Sequence, residues 1–188
     1  MEKIVAVHLA KGFEEIEAVS IIDVLRRAEI KTLVVSVTGL KEVTGSHGII
    51  VTADHLFDEV DYKLINMIIL PGGMPGAENL RNHRELGKQI LRFFNEGKML
   101  GAICAAPIVF GSLGILQGKN ATSYPGYENQ LTGAKITGNN VEISDNLITG
   151  KGAGVAIQFA LCIVEMLKDK QLAEKLAEKL IFSVTSHS

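Results

Sequence analysis

The stretch GAICAAPIVFGSLG (residues 101–114) decides how the chain is read. An apolar segment, MLGAIC (99–104), predicts a buried strand, and the run from Ala105 to Leu113 predicts a helix that follows without a linker. Cys104 sits at the joint. In sheets covered by helices on both faces, ligands bind at the carboxyl ends of the strands, which is where this thiol falls. Position alone leaves two readings open. At the start of a helix, the dipole and unpaired N–H groups draw a thiol down from about 8.5 toward about 3.5–7.5. The small neighbours Ala102, Ala105 and Ala106 leave the sulfur unguarded. The sharp turn is like a nucleophile elbow, although the G-x-S-x-G pattern is missing. Against this, cysteine is a common small apolar filler.

Working outward, the same strand-then-helix pattern repeats. KIVAVHLA (3–10), KTLVVSVTG (31–39) and INMIILPGG (65–73) read as strands, and 14–28 and 85–94 as helices. Residues 43–54 read as a small hairpin around Gly45 and Gly48, and 141–144 with 146–149 as two antiparallel segments turning at Asp145 and Asn146. An apolar helix from Val155 to Leu167 follows GKGAG (150–154). In the last helix Leu172, Leu176 and Leu180 repeat on one side, to pack on the body or on a second subunit. Alternating strands and helices imply an α/β domain with a parallel sheet. No linker or low-complexity tract divides residues 1–188, so a single domain is expected.

Composition narrows the function classes. The chain is 47% hydrophobic and 21% charged, with a net charge of −2, so no basic surface for nucleic acid is expected. No apolar run approaches the roughly 20 residues of a membrane span, and the N-terminus lacks a signal-peptide pattern, which together favour the cytoplasm. There, Cys104 and Cys162 are expected as free thiols. Cys162 lies on an apolar helix face and reads as core. His8, His47, His55, His83 and His187 form no metal-ligand spacing, so no metal site is expected.

Four stretches fall at strand ends: AKGFEEIE, LPGGMPGAEN, AICAAP and GKGAG. Glu14, Glu15 and Glu17 open a helix, where acids complement the dipole; solvated dipole partners is the reading for Glu14 and Glu15. Glu17 shares a helical side with Phe13 and Ile21, a side that can face inward, and a glutamate near a thiol can exchange a proton with it. Gly72 and Gly73 bare their amides, either for a tight turn or for an oxyanion. GKGAG matches neither nucleotide loop pattern, and close packing accounts for its glycines.

Taken together, AKGFEEIEAV with Asp23, Val24 and Arg26–Ala28, then LPGGMPGAENL, GAICAAP and ITGKGAGVAIQFAL, resemble the ThiJ/PfpI superfamily in its DJ-one-like branch. The resemblance covers nearly the whole chain. It implies a flavodoxin-like three-layer sandwich, class I glutamine amidotransferase-like, and a homodimer. It implies that Cys104 is the reactive cysteine on a strained backbone and that Glu17 is its carboxyl partner, protonated and bonded to the sulfur. It implies that the Gly73 and Ala105 amides form an oxyanion site and that Gly152 and Ala153 line the same pocket. The protease-like branch places histidine after the nucleophile; Ala105 stands there, which argues against a peptidase. Tyr124 stands where many animal members carry a histidine; it is a hydrogen-bond donor and a poor base at neutral pH. His47 stands where some relatives place an arginine that reaches toward a partner's pocket.

The resulting expectation is a cofactor-free glyoxalase or protein deglycase acting on small dicarbonyls or glycated protein. The alternative is a redox-responsive stress protein or chaperone that senses oxidation of Cys104.

Overall fold

The computed structural model describes residues 2–183. In chain order, β1 (Ile4–Leu9), α1 (Glu15–Arg27) and β2 (Lys31–Ser36) lead to three short strands, β3 (Glu42–Thr44), β4 (Ile50–Thr52) and β5 (His55–Leu56). Then come β6 (Met67–Leu70), α2 (Gly76–Asn82), α3 (Arg84–Asn95), β7 (Met99–Ile103) and α4 (Pro107–Ser112). The rest is β8 (Asn120–Ala121), β9 (Lys135–Ile136), β10 (Val141–Ser144), β11 (Leu147–Gly150), α5 (Ala156–Leu167) and α6 (Lys170–Lys179).

Seven strands form the central sheet in the order β10-β11-β7-β6-β1-β2-β5. All pairs are parallel except β10 with β11, which form an antiparallel hairpin at one edge. The inner strands are apolar at nearly every position because both faces are covered. Val5, Val7 and Leu9 of β1 face a layer made by α1, α5 and α6, whose large core residue is Phe159. Ala6 and Ala10, alternating with them, face α2, α3 and α4 with Phe93 and Phe110. The result is the three-layer α/β sandwich with a mostly parallel sheet that the alternating pattern predicts.

Local chemistry sets the boundaries. The Glu14 carboxylate accepts from the Ile16 N–H and caps α1, and Asp169 accepts from the Leu172 N–H and caps α6. The leucine stripe of α6 lies on the body: Leu176 is buried and Leu172 and Leu180 pack against the same core as α5. Two differences from the sequence reading bear on the site. Helix α2 begins directly after Pro75, in a segment to which the sequence reading assigns no element, and His83 in extended backbone separates it from α3. Helix α4 starts at Pro107 and has six residues, so Cys104, Ala105 and Ala106 form a turn ahead of it, and the thiol is not at a helix mouth.

Candidate active site

Three neighbouring strands, β1, β6 and β7, release their chains at one end of the sheet, and each contributes one part of a cluster. The turn after β1 buries Phe13 and starts α1 so that Glu17 faces inward, with no exposed surface. After β6, Gly72 donates its N–H to Glu17 Oε2 at 2.7 Å and accepts at its carbonyl from the Glu14 N–H at 2.9 Å. After β7, Cys104 has a φ of +63°, which a β-carbon disfavours by about 1–3 kcal/mol. The fold holds it there at both ends of the residue: its N–H donates to the Gly150 carbonyl at 2.9 Å, and its carbonyl accepts from the Tyr124 N–H at 2.8 Å.

Gly72 has to be glycine. A β-carbon on it would lie 2.5 Å from the Cys104 β-carbon and 2.9 Å from Glu17 Oε2. Gly73, at φ +86°, turns the chain beside Cys104, and Gly73, Cys104 and Ala105 line one cleft. The resemblance implies that the Gly73 and Ala105 amides serve one thiol, and the three residues share this cleft.

The protonation of the pair follows from its surroundings. Burial pushes the Glu17 carboxyl up to about 7, the Gly72 N–H and the thiol pull the other way, and the Glu14 charge adds to the rise. Burial also pushes the Cys104 thiol up to about 12, reinforced by the charge of the neighbouring Glu17 carboxyl. The two amides oppose that rise. This corrects the expectation of a thiol lowered by a helix dipole: the helix is short and begins later, and burial beside a carboxylate dominates. The pair therefore titrates as one unit that sheds a first proton near 7 and keeps the second into alkaline solution. Glu17 Oε1 is buried without a hydrogen-bond partner. As a bare carboxylate oxygen it would be costly, whereas a protonated oxygen can donate toward sulfur.

Cys104 opens onto a cleft of about 260 Å³ lined by Glu14, Glu17, Gly73, Tyr124 and Ala153 among others. The Tyr124 and Tyr127 rings meet edge to face, centroids 6.4 Å apart, and wall one side. Gly152 is set back from the cleft. It lies against the Tyr124 ring and lines an adjoining depression that shares Tyr124 and Ala153.

Two acids play parts that the sequence reading missed. Glu15 is buried rather than solvated. Its carboxylate accepts from the His47 N–H at 2.7 Å, from Ser46 Oγ at 3.1 Å and from the Ile49 N–H at 3.3 Å, and it meets His47 Nδ1 at 2.9 Å. Burial alone would raise its pKa, but these donors win and hold it at about 2. Glu15 thus fastens the β3–β4 loop to α1. Glu14 sits beside the same loop, 3.6 Å from His47 Nδ1, and reaches the cleft. Periodicity cannot reveal either role, since both depend on a loop thirty residues away in the chain.

The remaining candidates lie elsewhere. Cys162 is half-buried on α5 against the core, as read from its apolar helix face. His8 is fully buried, bonded through Nε2 to the Tyr62 hydroxyl at 2.7 Å, and burial holds its pKa near 3. His83 caps α3, and His187 lies outside the described residues.

Known proteins carry the same arrangement of chain. The family model described as DJ-1/PfpI family matches residues 3–166. Protein DJ-1 homolog B of Arabidopsis thaliana is 37% identical over 95% of this chain, which spans only 41% of that longer relative. Glutathione-independent glyoxalase DJR-1.2 of Caenorhabditis elegans is 34% identical over 89% of each chain. Among solved structures, oxidized Toxoplasma gondii DJ-1 superimposes with a TM-score of 0.92 at 39% identity, covering 96% of this chain and 99% of the other. The fold is accordingly flavodoxin-like, and the chain belongs to the DJ-1/PfpI family.

Proposed function

We propose that the protein is a cofactor-free glyoxalase that converts small α-oxoaldehydes into hydroxy acids through Cys104. The observation that carries this reading is the buried Glu17–Cys104 pair facing two backbone amides in an open cleft. The name of the nematode relative, a glutathione-independent glyoxalase, supports the same chemistry.

The reaction needs a nucleophile, an oxyanion site and one mobile proton. The Glu17 carboxylate takes the thiol proton as Cys104 sulfur attacks the aldehyde carbon, and the new alkoxide rests on the Gly73 and Ala105 amides until Glu17 hands it that proton, giving a hemithioacetal. The Glu17 carboxylate then takes the hydrogen of that carbon as a proton and returns it to the neighbouring carbonyl carbon, while the hemithioacetal hydroxyl passes its proton to the neighbouring oxygen. The first carbon is oxidised to a thioester while the second is reduced to an alcohol, so electrons balance within the substrate. Water cleaves the thioester, releasing the hydroxy acid and the thiol. A group that holds its proton near pH 7 suits this two-way traffic. Early protein adducts of the same aldehydes, the deglycase substrates, place the same carbonyl chemistry at the cleft mouth.

A second reading has support of its own. The Toxoplasma structure is of the oxidized protein, and an oxygen added to Cys104 would meet the same two amides and a protonated Glu17. Purified protein and its Cys104→Ser variant, incubated with methylglyoxal while lactate is followed, separate the two. Turnover lost in the variant supports the glyoxalase. Negligible turnover, with mild peroxide adding two oxygens to Cys104 alone, supports the sensor and overturns the enzyme.

The exposed face of α1 and the β3–β4 hairpin carries Ile16, Val19, Ile49 and Ile50. We place a homodimer contact there, in a cytoplasmic protein, because four large apolar side chains around one loop are what self-association covers. Ile16→Glu should shift sedimentation to the monomer; an unshifted dimer would move the contact elsewhere. Among the described residues no helix is long and apolar enough to cross a membrane.

A further inference from the structure

The charge of the cleft carries an inference about what can reach the sulfur. Two carboxyl groups, Glu14 and Glu17, line it together with Cys104, and no lysine or arginine does among the described residues. The nearest cations are engaged elsewhere. His47 Nδ1 is 2.9 Å from Glu15 and 3.6 Å from Glu14, and two carboxylates outweigh one imidazole. Lys151 lines only the adjoining depression and donates its Nζ to the Gly138 carbonyl at 3.1 Å.

The Glu14 side chain is held at the cleft rather than left to swing into solvent. Its side chain is 15% exposed. Every partner it has is a donor: the Ile16 N–H at 3.4 Å, Ser46 Oγ at 3.3 Å and, more distantly, His47 Nδ1. Its charge is felt at Glu17, deeper in the cleft.

We propose that Glu14 is a charge filter, a specificity-determining residue that repels anionic electrophiles and leaves Cys104 to neutral ones. A space of 260 Å³ is only about 8 Å across, and at that range, with water partly excluded, like charges change a rate by about tenfold. The consequence for substrate rests on the glyoxalase reading: neutral α-oxoaldehydes are accepted, whereas α-oxoaldehydes that also carry a carboxylate, such as 4,5-dioxovalerate, are disfavoured by that charge.

The filter is tested without relying on turnover, by alkylating Cys104 with iodoacetamide, which is neutral, and with iodoacetate, which is an anion of similar size. Both reagents consume the same thiolate, so the ratio of their rates cancels any change in thiol ionisation. At pH 6.5 Glu14→Gln should raise the iodoacetate-to-iodoacetamide ratio about tenfold, Glu14→Asp should hold it within about threefold of the parent, and added salt should narrow the gap. A ratio that moves less than about twofold in Glu14→Gln overturns the filter. Methylglyoxal and 4,5-dioxovalerate turnover are then compared in the same proteins. A shifted alkylation ratio without turnover of either would sink the glyoxalase reading while leaving the filter standing. Turnover with equal preference for both compounds, unchanged in Glu14→Gln, would sink the filter alone.

Discussion

Replacing Glu17 by glutamine removes the one buried acid whose proton the fold favours, and the effect on stability has a definite sign. In the unfolded chain a glutamate titrates near its ordinary 4.5, whereas in the folded protein burial raises Glu17 to about 7. Between these values the folded state binds the extra proton, so raising the pH weakens folding through this group. The contribution is fully present below 4.5 and is lost as pH rises through about 7. Integrated over that window, the loss amounts to about 2 kcal/mol by pH 6 and about 3 kcal/mol by pH 8. Glutamine keeps an oxygen for the Gly72 N–H and carries no titration. Urea melts of both proteins at pH 4.5, 6, 7 and 8 should therefore show the glutamine variant gaining on the parent by that amount. Constant offsets drop out, because only the change in the difference with pH matters. Two profiles running parallel from pH 4.5 to 8 would refute the claim that Glu17 is held protonated by burial.

Three further outcomes follow from geometry. Gly72→Ala should abolish methylglyoxal turnover, because its β-carbon falls on Cys104 and on the Ile103 carbonyl at 2.8 Å; a variant with parental kinetics would show that this approach is not needed. Glu15→Gln should weaken the protein by about 1–3 kcal/mol in chemical denaturation and raise hydrogen exchange at residues 45–49, since a neutral amide is a poorer acceptor for three donors. That variant should also flatten the loss of stability in acid, because Glu15, held near 2, stabilises above 4.5 and less as pH falls toward 2. Gly111→Ala should cost at least about 2 kcal/mol in thermal or urea melts, as its β-carbon would stand 2.0 Å from the Gln130 carbonyl oxygen, a backbone atom that cannot swing away.

What could be read from the sequence divides along the range of the forces involved. The inner strands were legible because a β1 or β6 buried on both faces has to be apolar throughout, and α1 because its caps and periodicity are local. Cys104 and Gly72–Gly73 stood out as small or reactive residues at strand ends, and the order of four motifs tied them to Glu17. What stayed hidden depends on chain segments meeting. Glu15 looks like any acid in a first helical turn until the 45–49 loop folds over it. Helix α2 was missed because it opens on Gly76 directly after Pro75 and its seven residues leave little periodicity to count. The thiol's proton affinity could not be judged either, because it follows from burial beside a carboxyl rather than from position in a helix.

The sheet order has a consequence for how the protein matures. Glu17 leaves β1 and Cys104 leaves β7, and β6 lies between them. No contiguous piece of chain short of that whole span contains both groups, and Gly72 can bridge them only after three strands have zipped in register. A nascent or damaged molecule thus carries Cys104 apart from Glu17 and from Gly72 and Gly73. The Glu17–Cys104 pair comes into being with the native state, so any chemistry that needs both groups would report on the folded molecules alone.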